Sequence, residues 1–223
     1  VRNGPRLAQG ALFNWRYAGQ ALSHRGIRLA NFGYLGCTWE LDAVWTWVPI
    51  FLLYIFRDPG IEDPKRLASL SAFGFIGVGA VGSVVVSILA DRWGRTTITI
   101  VSLAVSGGCC LAAGHLYGSH PPILIGFSLI WGFSVVTNSA QFPTSESELA
   151  DPQYFETVLK LQTCMDFPLT LGSIRLVPVV LESSSWNSAF TMLVAGPVLG
   201  AWSVWRLKQS PFAAAIGGES KKD

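Results

Sequence analysis

Charged residues make up only 13% of the 223-residue chain, and the stretch from Ala68 to Ala90 contains none. Soluble domains carry about twice that share. With half of the residues hydrophobic and a mean hydropathy of +0.41, the shortage excludes an ordinary soluble domain and points to a membrane protein. Histidine is scarce too: His24, His115 and His120 lie outside the central apolar runs and form no metal spacing. The four cysteines, Cys37, Cys109, Cys110 and Cys164, sit inside apolar segments without a CxxC or Cys/His pattern. No glycine-rich phosphate loop is present. These absences leave no metal, no cofactor and no enzyme chemistry to expect. Asp42 and Asp166 could in principle meet as an intramembrane aspartate pair, but neither has a protease context. The net charge of +2 is spread over short loops and ends, so no nucleic-acid partner is implied. Acidic residues are missing from Val1 to Arg28, and no signal-peptide pattern opens the chain, which begins without methionine and reads as a fragment.

What is present is a series of apolar segments, at about Leu29 to Phe56, Ala68 to Ala90, Thr97 to Tyr117, Pro122 to Gln141, Val158 to Leu181 and Trp186 to Trp205. Each is long enough to cross a hydrocarbon core of about 30 Å at about 1.5 Å per residue. The expectation is an all-α, polytopic transmembrane helical bundle of about six spans over residues 29–208. Residues 1–28 form a basic cytoplasmic linker, whose stretch from Leu12 to Leu22 is either an interfacial helix or an unstructured arm. Residues 209–223 form a flexible cytoplasmic tail. Most Arg and Lys fall on the side shared by the linker, the turn after the second segment, the segment from Pro143 to Thr157 and the tail, so both termini are expected in the cytoplasm. The second segment carries Gly74, Gly79, Gly82, Ser83 and Ser87, small residues that let a neighbouring helix approach closely. Gly196 and Pro197 suggest a kink in the sixth.

The tight turn after the second segment is the most specific signal. A connection this short needs Gly94 for its backbone, and Arg92 and Arg95 can reach phosphate head groups. Residues Ser87 to Arg95, SILADRWGR, resemble the loop signature G-x-L-a-D-R-x-G-R-[RK] of the major facilitator superfamily. Asp91, Arg92, Gly94 and Arg95 match; Ser87 replaces the usual glycine and Thr96 the second basic residue. The resemblance, with the arginine-rich linker and six spans, implies half of a twelve-helix major-facilitator-like fold, the C-terminal half, whose partner is an N-terminal six-helix half. It also implies a gating turn, in which Asp91 and the arginines pair with neighbouring helix ends in one conformation and release them in another. Without it, the turn reads first as a plain topogenic basic loop. The stretches YLGCTWELDAVWTWVPIFL and SELADPQYFETVLKLQTCMDFPLTLGSIRLVP are more weakly similar to a bacterial nitrate/nitrite or cyanate porter-like branch. Nitrate porters imply an arginine in the second helix, which Ala68 to Ala90 lacks.

Ionisable groups inside a span are costly and face a partner or a cavity. Glu40 lies eleven residues after Leu29, about 16 Å along a helix and close to the midplane. It is either a proton-coupling carboxylate or a structural one bonded to a neighbouring helix, and it is the first candidate for proton coupling, with Asp42, Asp166 and Arg175 as secondary candidates for coupling or substrate contact. Asp42 points about 200° away from Glu40. Asp166 lies about 12 Å into the fifth span and could meet the Glu40 region, and Arg175 lies about 13 Å further on. Arg175 either snorkels or attracts an anionic solute. Pro168 and Pro178 can bend this span. Asn138 and Gln141 are candidates for hydrogen bonds between helices. The combined expectation is a secondary active transporter, proton-coupled and moving a small solute or ion by alternating access, embedded in the lipid bilayer of a bacterial inner membrane. The competing class is a sensor or assembly subunit that keeps the fold without transporting.

Overall fold

The computed structural model describes residues 19, 23–57, 61–117, 119–150 and 155–216, with the side chain of Ala140 left aside. Every regular element among them is helical: α1 Arg25–Phe56, α2 Pro64–Trp93, α3 Arg95–Ala113, α4 Pro121–Leu149, α5 Phe155–Ser183, α6 Trp186–Leu193 and α7 Ala195–Lys208. Single 3-10 turns follow α3, at Gly114–Leu116, and α7, at Pro211–Ala215. Six of these helical units, α6 and α7 together forming one, are long and apolar enough to cross a membrane. The interfacial helix considered for Leu12 to Leu22 lies outside the described residues, apart from Gly19.

Local chemistry explains the ends. His24 caps α1, its ring accepting from the Ile27 amide at 3.3 Å. Asp63 caps α2, accepting from the Arg66 amide at 3.1 Å, and Pro64 takes the first helical turn, where a missing N–H costs nothing. The sixth span breaks at Val194 instead of at Gly196, because Pro197 has no N–H for the Leu193 carbonyl and its ring crowds that oxygen. α4 runs through Pro143 to Leu149, so the segment expected as a loop from Pro143 is helical as far as Leu149. Pro143 removes only the amide bond to the Ser139 carbonyl, and the Ser145 hydroxyl donates to the Gln141 carbonyl at 3.0 Å. The chain after Pro211, expected as a free tail, folds back as far as Ile216, which is buried, while Phe212 packs on the His24 ring.

α1 is the centre of the bundle, packed against α7, α5, α2 and α4. α2 lies along α4, where Gly79 and Gly82 seat Val136, Phe133 and Thr137. Only 22% of the apolar stretch of α2 and 11% of that of α5 is buried, and Phe73 and Phe167 project from them. These two helices form the periphery of the described bundle. α1 crosses α7 at glycines: a Cβ on Gly36 would lie 2.5 Å from the Gly196 carbonyl oxygen and 2.7 Å from the Gly200 nitrogen. Backbone atoms cannot retreat as side chains do. Gly36→Ala is therefore expected to destabilise the protein by about 1–3 kcal/mol, read as an earlier melt in detergent, whereas Gly77→Ala, with nothing within 4 Å, leaves the melt unchanged or raises it.

Candidate functional site

Polar side chains gather in two places, the α2–α3 turn with the end of α4, and the interior around α1. At the turn, Gly94 has φ 91° and ψ 130°, the single positive φ among the described residues, a backbone conformation glycine adopts without a steric penalty. It donates to the Ala90 carbonyl at 3.0 Å and accepts from the Ile98 amide at 3.2 Å, so α3 starts directly after α2 stops. Arg95, the first residue of α3, turns inward and is only 8% exposed. Its Nη1 donates to Gln141 Oε1 at 3.2 Å, and its Nη2 reaches Asp91 at 3.3 Å and Glu148 at 3.5 Å. Gln141 Nε2 donates in turn to Ser87 Oγ at 3.2 Å. One α4 side chain thus holds α2 and α3 through its two ends.

The expectation that Arg95 anchors at head groups is corrected by this arrangement, since acceptors on α2 and α4 draw the guanidinium inside. Asp91, Arg92 and Trp93 stay exposed. Serine at position 87, where the resembling signature has glycine, supplies the oxygen that Gln141 needs. Asn138 is fully buried but bonds within its own helix, donating to the Ser134 carbonyl at 3.2 Å.

Inside the bundle, Glu40 is 1% exposed. Its Oε1 accepts from Ser106 Oγ at 2.5 Å, Cys110 Sγ at 3.1 Å and Trp131 Nε1 at 3.1 Å. This carboxyl joins α1, α3 and α4 and is closed off from the surface. Asp42 faces the other way, as the 200° offset demands, and accepts from Thr170 Oγ1 at 2.5 Å. Asp166 meets Tyr34, whose hydroxyl donates to Oδ2 at 3.3 Å, and not the Glu40 region. Trp47 Nε1 donates to the Ile174 carbonyl at 3.1 Å. Asp42, Asp166 and Trp47 therefore share one α1–α5 seam, apart from Glu40. Arg175 is exposed on the outer face of α5, near Phe167 and Leu171. An open groove of about 720 Å³ between α1, α5 and α7 is lined by Phe32, Leu35, Trp39, Met165, Leu169 and Trp202, among others. It has no charged residue in its lining, and its walls are almost wholly apolar.

Sequence reasoning missed Tyr34, Thr170 and Gln162, and it missed the three donors on Glu40. The spacing of Gln162, Asp166 and Thr170 was a readable signal, since residues four apart share a helix face. The donors Ser106, Cys110 and Trp131 carried none.

Six apolar helices with buried polar contacts between them are those of an integral membrane protein. No family model matches the chain, and no solved structure matches it. It is similar to the glucose-6-phosphate exchanger SLC37A2 of Xenopus laevis, at 27% identity over 187 residues, which is 78% of this chain and 36% of the frog protein. The chain thus spans about a third of the length of this curated relative. The likeness identifies a distant relative of a membrane exchanger.

Proposed function

We propose that the chain is the C-terminal six-helix half of a major-facilitator-like secondary transporter, coupled to protons and working by alternating access against an N-terminal half. The observation that supports this most is the Arg95 network. Its bonds to Gln141 and Glu148 hold only while the α2–α3 turn sits against α4, which is the property a gating contact requires. The likeness to an exchanger points the same way.

In this reading the solute sits near the midplane where the halves meet. Asp42 and Asp166, half-buried on the α1–α5 seam, are reachable by a moving proton, whereas Glu40, locked by three donors, holds α1 to α3 and α4. Arg175, on the exposed face of α5, faces the partner half or its aqueous path, because a lone guanidinium against hydrocarbon costs several kcal/mol. The frog relative makes a phosphorylated sugar the first solute to test, and Arg175 is the cation this half would offer to its phosphate.

The test uses the full-length protein in proteoliposomes, with labelled glucose 6-phosphate and an imposed pH gradient. Accumulation that follows the gradient is expected, with Asp42→Asn abolishing the gradient dependence and Arg175→Leu weakening uptake. Absence of flux for this solute and for a panel of other small anions, cations and sugars would remove the transporter reading and favour a sensor. The coding sequence upstream of Val1 offers an independent check, since a half-bundle requires about six further spans.

A further inference from the structure

Three layers of contacts stack along the interface of α1, α4 and α5. In the outermost, Ile27, Ala150 and Val158 pack together. In the innermost, Tyr34 touches the Phe142 ring, centroids 6.0 Å apart, and donates to Asp166. Between them, one turn along each helix, fall Asn31, Glu146 and Gln162. Gln162 Nε2 donates to Glu146 Oε1 at 2.6 Å, confirming the register. Glu146 is 0% exposed, and Asn31 and Gln162 are 6% and 4% exposed. This layer is entirely polar.

Its oxygens are left over. Glu146 Oε2 and Asn31 Oδ1 are buried without a hydrogen-bond partner, as are Asp166 Oδ1 one layer inward and Thr157 Oγ1 beside Val158. Buried acceptors are ordinarily satisfied, and an unpaired one carries a desolvation penalty. Two of these oxygens belong to carboxyls, Glu146 and Asp166, and a proton on each would satisfy them, giving a track from one layer to the next.

We propose that Glu146, with Asn31 and Gln162, is a proton-binding layer at the end of α4, and that protons pass between it and Asp42 by way of Asp166. The inference rests on the proton-coupled reading above and adds a residue to it. Thr170, the donor to Asp42, is followed back along α5 by Asp166 and then by Gln162, the donor to Glu146, at intervals of four residues, about 6 Å each. In each step an O–H bond breaks on the protonated carboxyl and forms on the carboxylate of the next layer, and the negative charge moves the opposite way. The apolar layer of Ile27, Ala150 and Val158 must part before Glu146 exchanges its proton with water.

The groups facing the track are few. α1 contributes Tyr34, Asp42 and, near its start, Arg28. α5 contributes Asp166 and the surface pair of Lys160 and Glu156, 3.5 Å apart. On α4, Glu148 faces Arg95 of α3 instead of the track. Glu146 makes no ion pair among the described residues.

Infrared difference spectroscopy of the full-length protein in liposomes tests this through the carboxylic-acid bands as pH is stepped. Glu146→Gln is expected to remove one band and to shift the titration of a second, assigned by its loss in Asp166→Asn. Gln162→Leu, which keeps the carboxyl but removes its donor, is expected to move the Glu146 band. Unchanged bands and midpoints in both variants would overturn the proposal, and if Glu146→Gln fails to fold, Gln162→Leu decides alone. A band that responds to replacing choline by sodium at constant pH would mean a metal-cation site and would equally overturn it. Intact bands with no solute flux would leave the proton layer standing while removing the transporter reading.

Discussion

Glu40→Ala is expected to lower stability by about 2–5 kcal/mol, from donors left unpaired and a cavity between three helices. The three donors are not equal. Ser106 and Cys110 can rotate toward carbonyls of their own helix, but the Trp131 indole N–H is fixed by a ring packed against Phe75, Phe127 and Phe190. Trp131 therefore bears most of the loss. Glu40→Gln keeps an acceptor oxygen in place and should cost much less, and Glu40→Leu should fall between, filling the space without accepting. The mechanism is checked by repeating Glu40→Leu in a Trp131→Phe background, where the missing N–H makes the leucine nearly harmless; thermal unfolding in detergent measures all four. Equal losses in both backgrounds would show that the carboxyl does not hold the indole. The same variants separate structure from coupling. If Glu40→Gln retains proton-driven flux, the coupling proton moves at Asp42 and Asp166; if it folds normally and loses that flux, coupling belongs to Glu40.

The spans were legible because apolar length is written directly in composition, and the turn because glycine and charge interrupt it. The placement of Glu40 and Asp42 on opposite sides followed from helix geometry alone. What each side faces did not follow, since that depends on how helices pack. Val44, four residues on, is buried with Glu40, whereas Trp47 has an indole long enough to reach α5. Asp166 was placed near Glu40 by depth, which says nothing of azimuth. Glu146 lies in the segment from Pro143 that the sequence presents as a loop; α4 runs on through it, because a helix tolerates one lost amide bond when its other groups are satisfied. Gln141, weighed only for hydrogen bonds between helices, holds the turn because the break at Gly94 aims Arg95 back at α4; the need for glycine there was legible, the direction of the turn was not.

Gln141→Leu should detach the turn from α4. It removes both the bond to Arg95 and the bond to Ser87 while keeping an apolar side chain of similar length, and a lost bond to a charged group is worth about 1.5–3 kcal/mol. In an alternating-access protein the clamp stabilises one conformation, so about 2 kcal/mol corresponds to a roughly thirtyfold change in the balance of conformations. Arg95→Ala is expected to match it. Arg95→Lys should rescue only part, since an ammonium cannot serve Gln141, Asp91 and Glu148 from one planar fork. Asp91→Asn should change little, because the Asp91 side chain is 69% exposed and its pair with Arg95 is solvated. The measurement is maleimide labelling of Ser145→Cys, one turn beyond Gln141 and now 7% exposed, in the full-length protein. Labelling should accelerate strongly with Gln141→Leu and Arg95→Ala, and hardly at all with Asp91→Asn. An equal acceleration from Asp91→Asn would mean that the exposed ion pair, and not the buried amide, latches the turn; unchanged labelling in all three would mean that the turn is a plain connection and gates nothing.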